Sequence, residues 1–210
     1  MRWLLAAAVA GLAAIAGCVP PESVHPLSDP AKAKADPRLA GAFAANLDGG
    51  EAWLHFNPRA GSAVVDVILI GYDPREGAMV LHYEAFPTQI GKHGYLNLRA
   101  KKFDDMLEAK YTRSPTYIFA RYQFAKDGAL TLAVMDDDLA EKAIGKGEVE
   151  GKTSRGGEAT DLGTVTGNGT VLTADSATLS AWVAKSTDPA LFNTLGVFRR
   201  VDPKLGKGKK

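Results

Sequence analysis

Hydrophobic and polar residues alternate along most of the chain with the period of two that marks strands half-buried on one face. Residues 52–56 set Trp53 and His55 against Leu54 and Phe56, and residues 79–86 set Met79, Leu81 and Tyr83 against Val80, His82 and Glu84. Residues 64–72 (VVDVILIGY) form the strongest β-branched run and end in the turn-forming string Asp73-Pro74-Arg75-Glu76-Gly77. Residues 41–44 open the series; 95–98, 116–124 (TYIFARYQF), 129–135 and 195–201 continue it, with a hairpin turn at Asp127-Gly128. About eight strands in mostly hairpin order predict a mainly β fold, a closed antiparallel barrel or a sandwich, over any alternating βα architecture.

Two passages change period. Asp136, Asp137 and Asp138 stand at the head of residues 136–144, where unpaired helix amides favour negative charge, and Gly145 ends the run. The acids lack the spacing of a calcium loop and read as caps. Thr173-Ala174-Asp175-Ser176 starts a second helix, which places Leu179, Trp182 and Val183 on one face, suited to packing on the barrel. Between the helices, residues 145–171 hold eight glycines, the composition of a long loop or loose hairpin. Gly167-Asn168-Gly169 has no GK[ST] after it and carries no phosphate-binding reading.

Composition and charge narrow the classes. The chain has 210 residues, 25 basic and 24 acidic side chains and one cysteine. One thiol excludes an internal disulfide and any multi-cysteine metal site. Near-neutral charge argues against a broad nucleic-acid surface. The length suits one domain or two small ones.

The cysteine gains meaning from its neighbours. Met1-Arg2 is followed by an apolar run of 14 residues, 3–16, the length of a secretory signal core and short of the roughly 20 residues that span a bilayer. The run closes on Ile15, Ala16, Gly17 and Cys18, which resembles the bacterial lipobox. The resemblance implies cleavage before Cys18 and acylation of that residue; the plainer alternative is a signal peptide with a stray cysteine. Two or three acyl chains anchor firmly where one binds marginally, at about 0.8 kcal/mol per buried methylene. Cleavage removes Arg2 and no acid, leaving 24 side chains of each sign. Val19, where an inner-membrane retention signal would carry Asp, favours outer-membrane attachment facing the periplasm.

The predicted organisation is therefore a signal peptide at 1–17, an acylated Cys18 with a flexible tether at 18–37, a β-barrel domain at 38–202 and a basic tail at 203–210. Residues 19–37 contain five of the eleven prolines and few large apolar residues, so they read as an extended leash reaching up to roughly 60 Å at about 3.1 Å per residue. Lys204, Lys207, Lys209 and Lys210 make a glycine-interleaved tail, a solubilising end or a contact for anionic headgroups.

Several short strings, His25-Pro26-Leu27, Arg38-Leu39-Ala40-Gly41-Ala42-Phe43, Gly94-Tyr95-Leu96-Asn97-Leu98, Leu130-Thr131-Leu132, Val171-Leu172-Thr173-Ala174 and Phe198-Arg199-Arg200, together resemble a family of uncharacterised bacterial lipoproteins. Those proteins are in turn similar to lipocalins, in which a Gly-x-Trp on the first strand packs under an Arg of the last. The resemblance implies an about eight-stranded lipocalin-like barrel with two short packed helices. It assigns the glycine to Gly41, the aromatic position to Phe43 and the arginine to Arg199 or Arg200.

Three function classes follow. A carrier would hold a small hydrophobic ligand or lipid in a pocket lined by aromatics such as Trp53, Tyr83, Tyr117 and Phe119, which could equally fill the interior. An accessory of an envelope complex would have a filled barrel and a protein partner. A metal-dependent enzyme would need the set His82, Glu84 and His93, the first two on one strand face and the third after the next turn. No HExxH, no Gly-x-Ser-x-Gly and no free cysteine nucleophile occurs, and Asp104-Asp105 makes no glycosidase pair. The expectation is a membrane-anchored protein without cofactor or catalysis.

Overall fold

The structure is a computed structural model that describes residues 20–47, 50–73, 77–105, 110–113, 115–154, 159–160, 163–164, 169–186 and 189–201. The lipobox and Cys18, the basic tail and much of the glycine-rich passage lie outside the described residues.

Eight antiparallel strands close into a barrel: β1 Gly41–Leu47, β2 Gly50–Pro58, β3 Val65–Asp73, β4 Gly77–Ile90, β5 His93–Asp105, β6 Tyr117–Phe124, β7 Leu130–Met135 and β8 Phe192–Arg200. Each pairs with its sequence neighbours, and β8 returns to β1 through Arg200 opposite Phe43. The mainly β fold predicted from the strand series is observed, and of the barrel and the sandwich it allowed, the chain forms the closed barrel. Closure removes the exposed sheet edges that an open meander would leave.

Strict alternation sets the inward faces. On β2, Ala52, Leu54 and Phe56 are buried while their neighbours are exposed; on β3, Val65, Val67 and Leu69 point inward. On β4 to β7 the alternation gives way to burial on both faces, as at residues 85–88, because a second layer covers the barrel there. That layer holds helix α1, Asp137–Gly145, and helix α2, Ser176–Lys185. Asp136 and Asp175 cap them, accepting from the backbone N–H of Leu139 at 2.8 Å and of Thr178 at 2.7 Å. Leu179, Trp182 and Val183 of α2 pack with Tyr95, Phe119, Met135 and Phe192 from the outer wall in a core separate from the barrel interior.

Residues 20–37 differ from the extended tether that their composition suggests. Glu22–Ser23 forms a short strand, antiparallel to Ile118 and Tyr117 and parallel to Val171 and Leu172. Leu27 is buried under α2, its N–H donates to Asn97 Oδ1 at 2.7 Å, and Ser28 Oγ lies 2.6 Å from Thr88 Oγ1. The physical reason is an open sheet edge. β6 starts at Tyr117, whereas β7 reaches only as far as Met135 opposite Phe192, so the first residues of β6 need another partner. Glu22 and Ser23, which follow the Pro20-Pro21 pair and carry backbone N–H groups, supply it.

Asp36 turns the chain across one end of the barrel. Its side chain accepts from the backbone N–H of Arg38 at the head of a short 3-10 turn, Pro37–Leu39, and Leu39 is wholly buried beside Phe43 in the barrel core.

Candidate functional site

The barrel interior is the first place to look for a ligand. It leaves a cavity of about 40 Å³ walled by Leu54, Val67, Tyr83, Leu96, Ala120 and Val134. A water molecule takes about 30 Å³ of liquid, and a dry apolar cavity that binds benzene is nearer 150 Å³. The remaining interior is occupied by side chains, with Phe43, Phe56, Leu130 and Phe198 almost fully buried towards the closed end. Burial pushes the Tyr83 phenol up to about 12, so it is neutral across the physiological range.

Of the four aromatics expected around a pocket, Tyr83 alone lines this cavity. Trp53 lies on the outer wall, 42% exposed. Phe119 belongs to the core under the helices, and Tyr117 packs beside it, edge-on to Phe86 at 6.3 Å and beneath the Arg99 guanidinium at 5.0 Å. Strand parity decides this: Leu54 and Phe56 face inward, so Trp53 cannot, and Ile118 and Ala120 face inward, so Tyr117 and Phe119 cannot. On β6 the outer face carries Tyr117 and Phe119 before Arg121 and Gln123, so only the second half of the strand signals which face is the interior.

The closed end brings together the Gly41, Phe43 and arginine positions. The Arg200 guanidinium sits 4.6 Å from the centre of the Phe43 ring and donates to the carbonyls of Ala40 and Arg38, the latter at 2.7 Å. Gly41 has φ of +112°, and a Cβ there would lie 2.7 Å from Arg200 Nη1, so both backbone conformation and space require glycine. Arg199 points elsewhere and pairs with Asp127 at 3.2 Å on the surface. Arg38 forks onto Asp36 at 2.9 and 2.7 Å and covers Phe124, while Tyr122 donates to Asp36 at 3.0 Å. The Arg38 guanidinium holds the Asp36 carboxyl below the usual carboxylate range.

The outer wall of β2, β3 and β4 is built in rows set by the register. Trp53, Ile70 and Val80 stand abreast, and Tyr72 lies one row nearer the strand ends. All four are large and at least 41% exposed. His55, Ile68 and His82 make the next row, and Asn57, Asp66 and Glu84 the one after. There Arg59 reaches both acids, donating to Asp66 at 2.8 and 2.9 Å and pairing with Glu84 at 2.8 Å, and Lys101 adds a bond to Asp66 at 3.1 Å. These cations hold Asp66 far below the usual carboxylate range, with the Arg59 hydrogen bonds the larger cause. His82 Nε2 lies 3.5 Å from Asp66, and burial, reinforced by Lys101, lowers its pKa. The acids are thus engaged by the cations of the wall.

The candidate metal set is not assembled. His82 and Glu84 lie in this ionic cluster, next to the Tyr83–Ala100 pair, whereas His93 faces Ile90 at the other end of β5. Seven positions along a strand separate these points by roughly 23 Å. Among the described residues no three His, Cys, Asp or Glu side chains converge to hold a metal ion.

The chain matches no family model, no curated protein and no solved structure.

Proposed function

We propose that this protein is a lipoprotein of the bacterial envelope, anchored through Cys18 and facing the periplasm, whose barrel is a solid scaffold acting through its outer surface. The observation that carries this reading is the interior: about 40 Å³ of space, against the roughly 300 Å³ or more that a small-molecule pocket occupies. The exposed row of Trp53, Ile70 and Val80, with Tyr72 beside it, supplies contact area for another envelope protein. This row faces away from the wall against which residues 20–28 lie, and hence away from the anchor side. The N-terminal segment makes the leash short. Cys18 is two residues before Pro20, so its Cα lies within about 8 Å of a residue buried on the domain, and the barrel would sit at the bilayer surface.

The test uses the mature, acylated protein and its Cys18→Ala variant. A neutral apolar fluorophore, N-phenyl-1-naphthylamine, should show no saturable uptake by the detergent-free Cys18→Ala domain, and a fatty-acid analogue should label the native protein and not the variant. Stoichiometric uptake of the fluorophore that an Ala120→Phe substitution abolishes would overturn the solid-barrel reading. Labelling that persists in Cys18→Ala would overturn the anchor.

A further inference from the structure

A cleft of about 460 Å³ opens outside the barrel, between its wall and the end of α2. The β4–β5 turn contributes Lys92 and His93, the wall contributes Tyr95 and Arg121, and the helix and the segment leading into β8 contribute Val183, Leu191 and Phe192. Its size falls within the range of small-molecule sites, about ten times that of the space inside the barrel. The register builds it: Tyr95 and Arg121 are direct cross-strand partners on β5 and β6, so a phenol and a guanidinium project side by side from the wall.

The chemistry of the walls is divided. Tyr95 and Phe192 pack at 5.2 Å and make an apolar floor continuous with Val183. Arg121 lies 5.4 Å above the Phe192 ring, and its one hydrogen bond among the described residues is a long one, Nη2 to the Phe192 carbonyl at 3.4 Å. Most of its planar fork is left to face the cleft. Lys92 brings a second positive charge, and no carboxylate is among the described lining residues. His93 is held neutral by burial and by these two cations, and burial keeps the Tyr95 phenol protonated, so both are uncharged neighbours able to hydrogen-bond. The C-terminal turn of α2 forms the opposite rim, and the negative end of the helix dipole disfavours an anion there.

We propose that this cleft binds a small amphipathic anion, with a carboxylate or phosphate head on Arg121 and Lys92 and an apolar body laid on Tyr95, Phe192 and Val183. Two cations and no carboxylate among the described lining residues select the charge, a planar guanidinium suits an oxyanion held by two parallel bonds, and the ring floor rewards a short hydrocarbon chain. The site is independent of the anchor and of the solid-barrel reading.

Isothermal titration of the Cys18→Ala domain with decanoate and with octyl phosphate, both below micellar concentration, tests it and separates the two head groups. At least one should bind saturably at one to one, decanol should bind at least about tenfold more weakly, and Arg121→Gln should weaken the anion about tenfold or more. Arg121→Lys, which keeps the charge and loses the fork, should fall between. Ala184→Trp fills the cleft without touching a charge and should also abolish binding, which guards against a loss due to misfolding at Arg121. Equal affinity for decanol, absence of saturable binding for both anions, or binding unchanged in Arg121→Gln and Ala184→Trp would overturn the proposal.

Discussion

Two adjacent arginines show how one residue's placement outweighs its type. Arg199 and Arg200 have the same charge and neighbouring positions, yet one pairs at the surface with Asp127 and the other locks the closed end over Phe43. Exposed pairs contribute little because solvent screens them and both side chains lose freedom. The Arg200 contacts combine a ring face with charge-assisted hydrogen bonds to two backbone carbonyls. Arg200→Ala should therefore lower stability by about 1–3 kcal/mol in urea denaturation, whereas Arg199→Ala should change it by no more than about 0.5 kcal/mol. Equal losses from the two variants would remove the closed end's special status.

At the scale of elements, the N-terminal segment behaves as a ninth piece of the barrel wall. Asn97 is its clamp: fully buried on β5, it accepts from the Leu27 N–H and donates to Thr88 Oγ1 at 2.8 Å and to the Phe86 carbonyl at 3.3 Å. Ser180 of α2 adds a hydrogen bond to the Leu27 carbonyl, so strap, strand and helix meet at Leu27. Asn97→Leu leaves the Leu27 amide without its partner, removes one bond each from Thr88 Oγ1 and the Phe86 carbonyl, and should cost about 2–3 kcal/mol. The element-level signature is in hydrogen exchange. The Leu27 amide should be protected in the native protein and lose that protection in Asn97→Leu before the barrel amides do. A Leu27 amide that exchanges freely in the native protein would show that the strap is not docked.

For the molecule as a whole, the ionisable groups predict a stability that declines as pH falls. His82 and His93 both have pKa values lowered by burial below the ordinary 6.5, so the unfolded chain takes up protons there that the folded one refuses. Stability from this source is complete above about pH 6.5 and is lost below it. Asp36 and Asp66, held below the ordinary 3.8 by Arg38 and Arg59 respectively, add a second loss that begins below that value. Asp137, raised by burial, works in the opposite direction and partly offsets it. The urea midpoint should thus fall in two stages on acidification. Asp66→Asn should lower the midpoint at pH 7 and flatten the second stage; a second stage of unchanged slope would mean that the Arg59 cluster does not set acid stability.

Much of this fold was legible in the chain, and the candidate sites far less. The alternation in residues 52–56 and 64–72 defines strands with one wet face, and Asp136 and Asp175 mark helix starts, because these signals depend only on a residue's near neighbours. Even the Gly41, Phe43 and arginine positions could be named, though only the pairing of β8 with β1 puts Arg200 and not Arg199 over the ring. What the sequence could not disclose is what lies opposite what. Residues 20–28 look like a leash until the open edge of β6 is known, and Trp53 and Phe119 look like pocket aromatics until parity and the helix layer place them outside. Arg121 and Lys92 carried no motif at all; they become a site because barrel closure and α2 bring a strand, a turn and a helix end around one cleft. By itself the sequence determined the local elements and the mainly β class, since these are written in contiguous residues. The tertiary structure alone decided which faces are inside, how little room the barrel leaves, and where charge meets an apolar floor, because burial depends on partners distant in the chain.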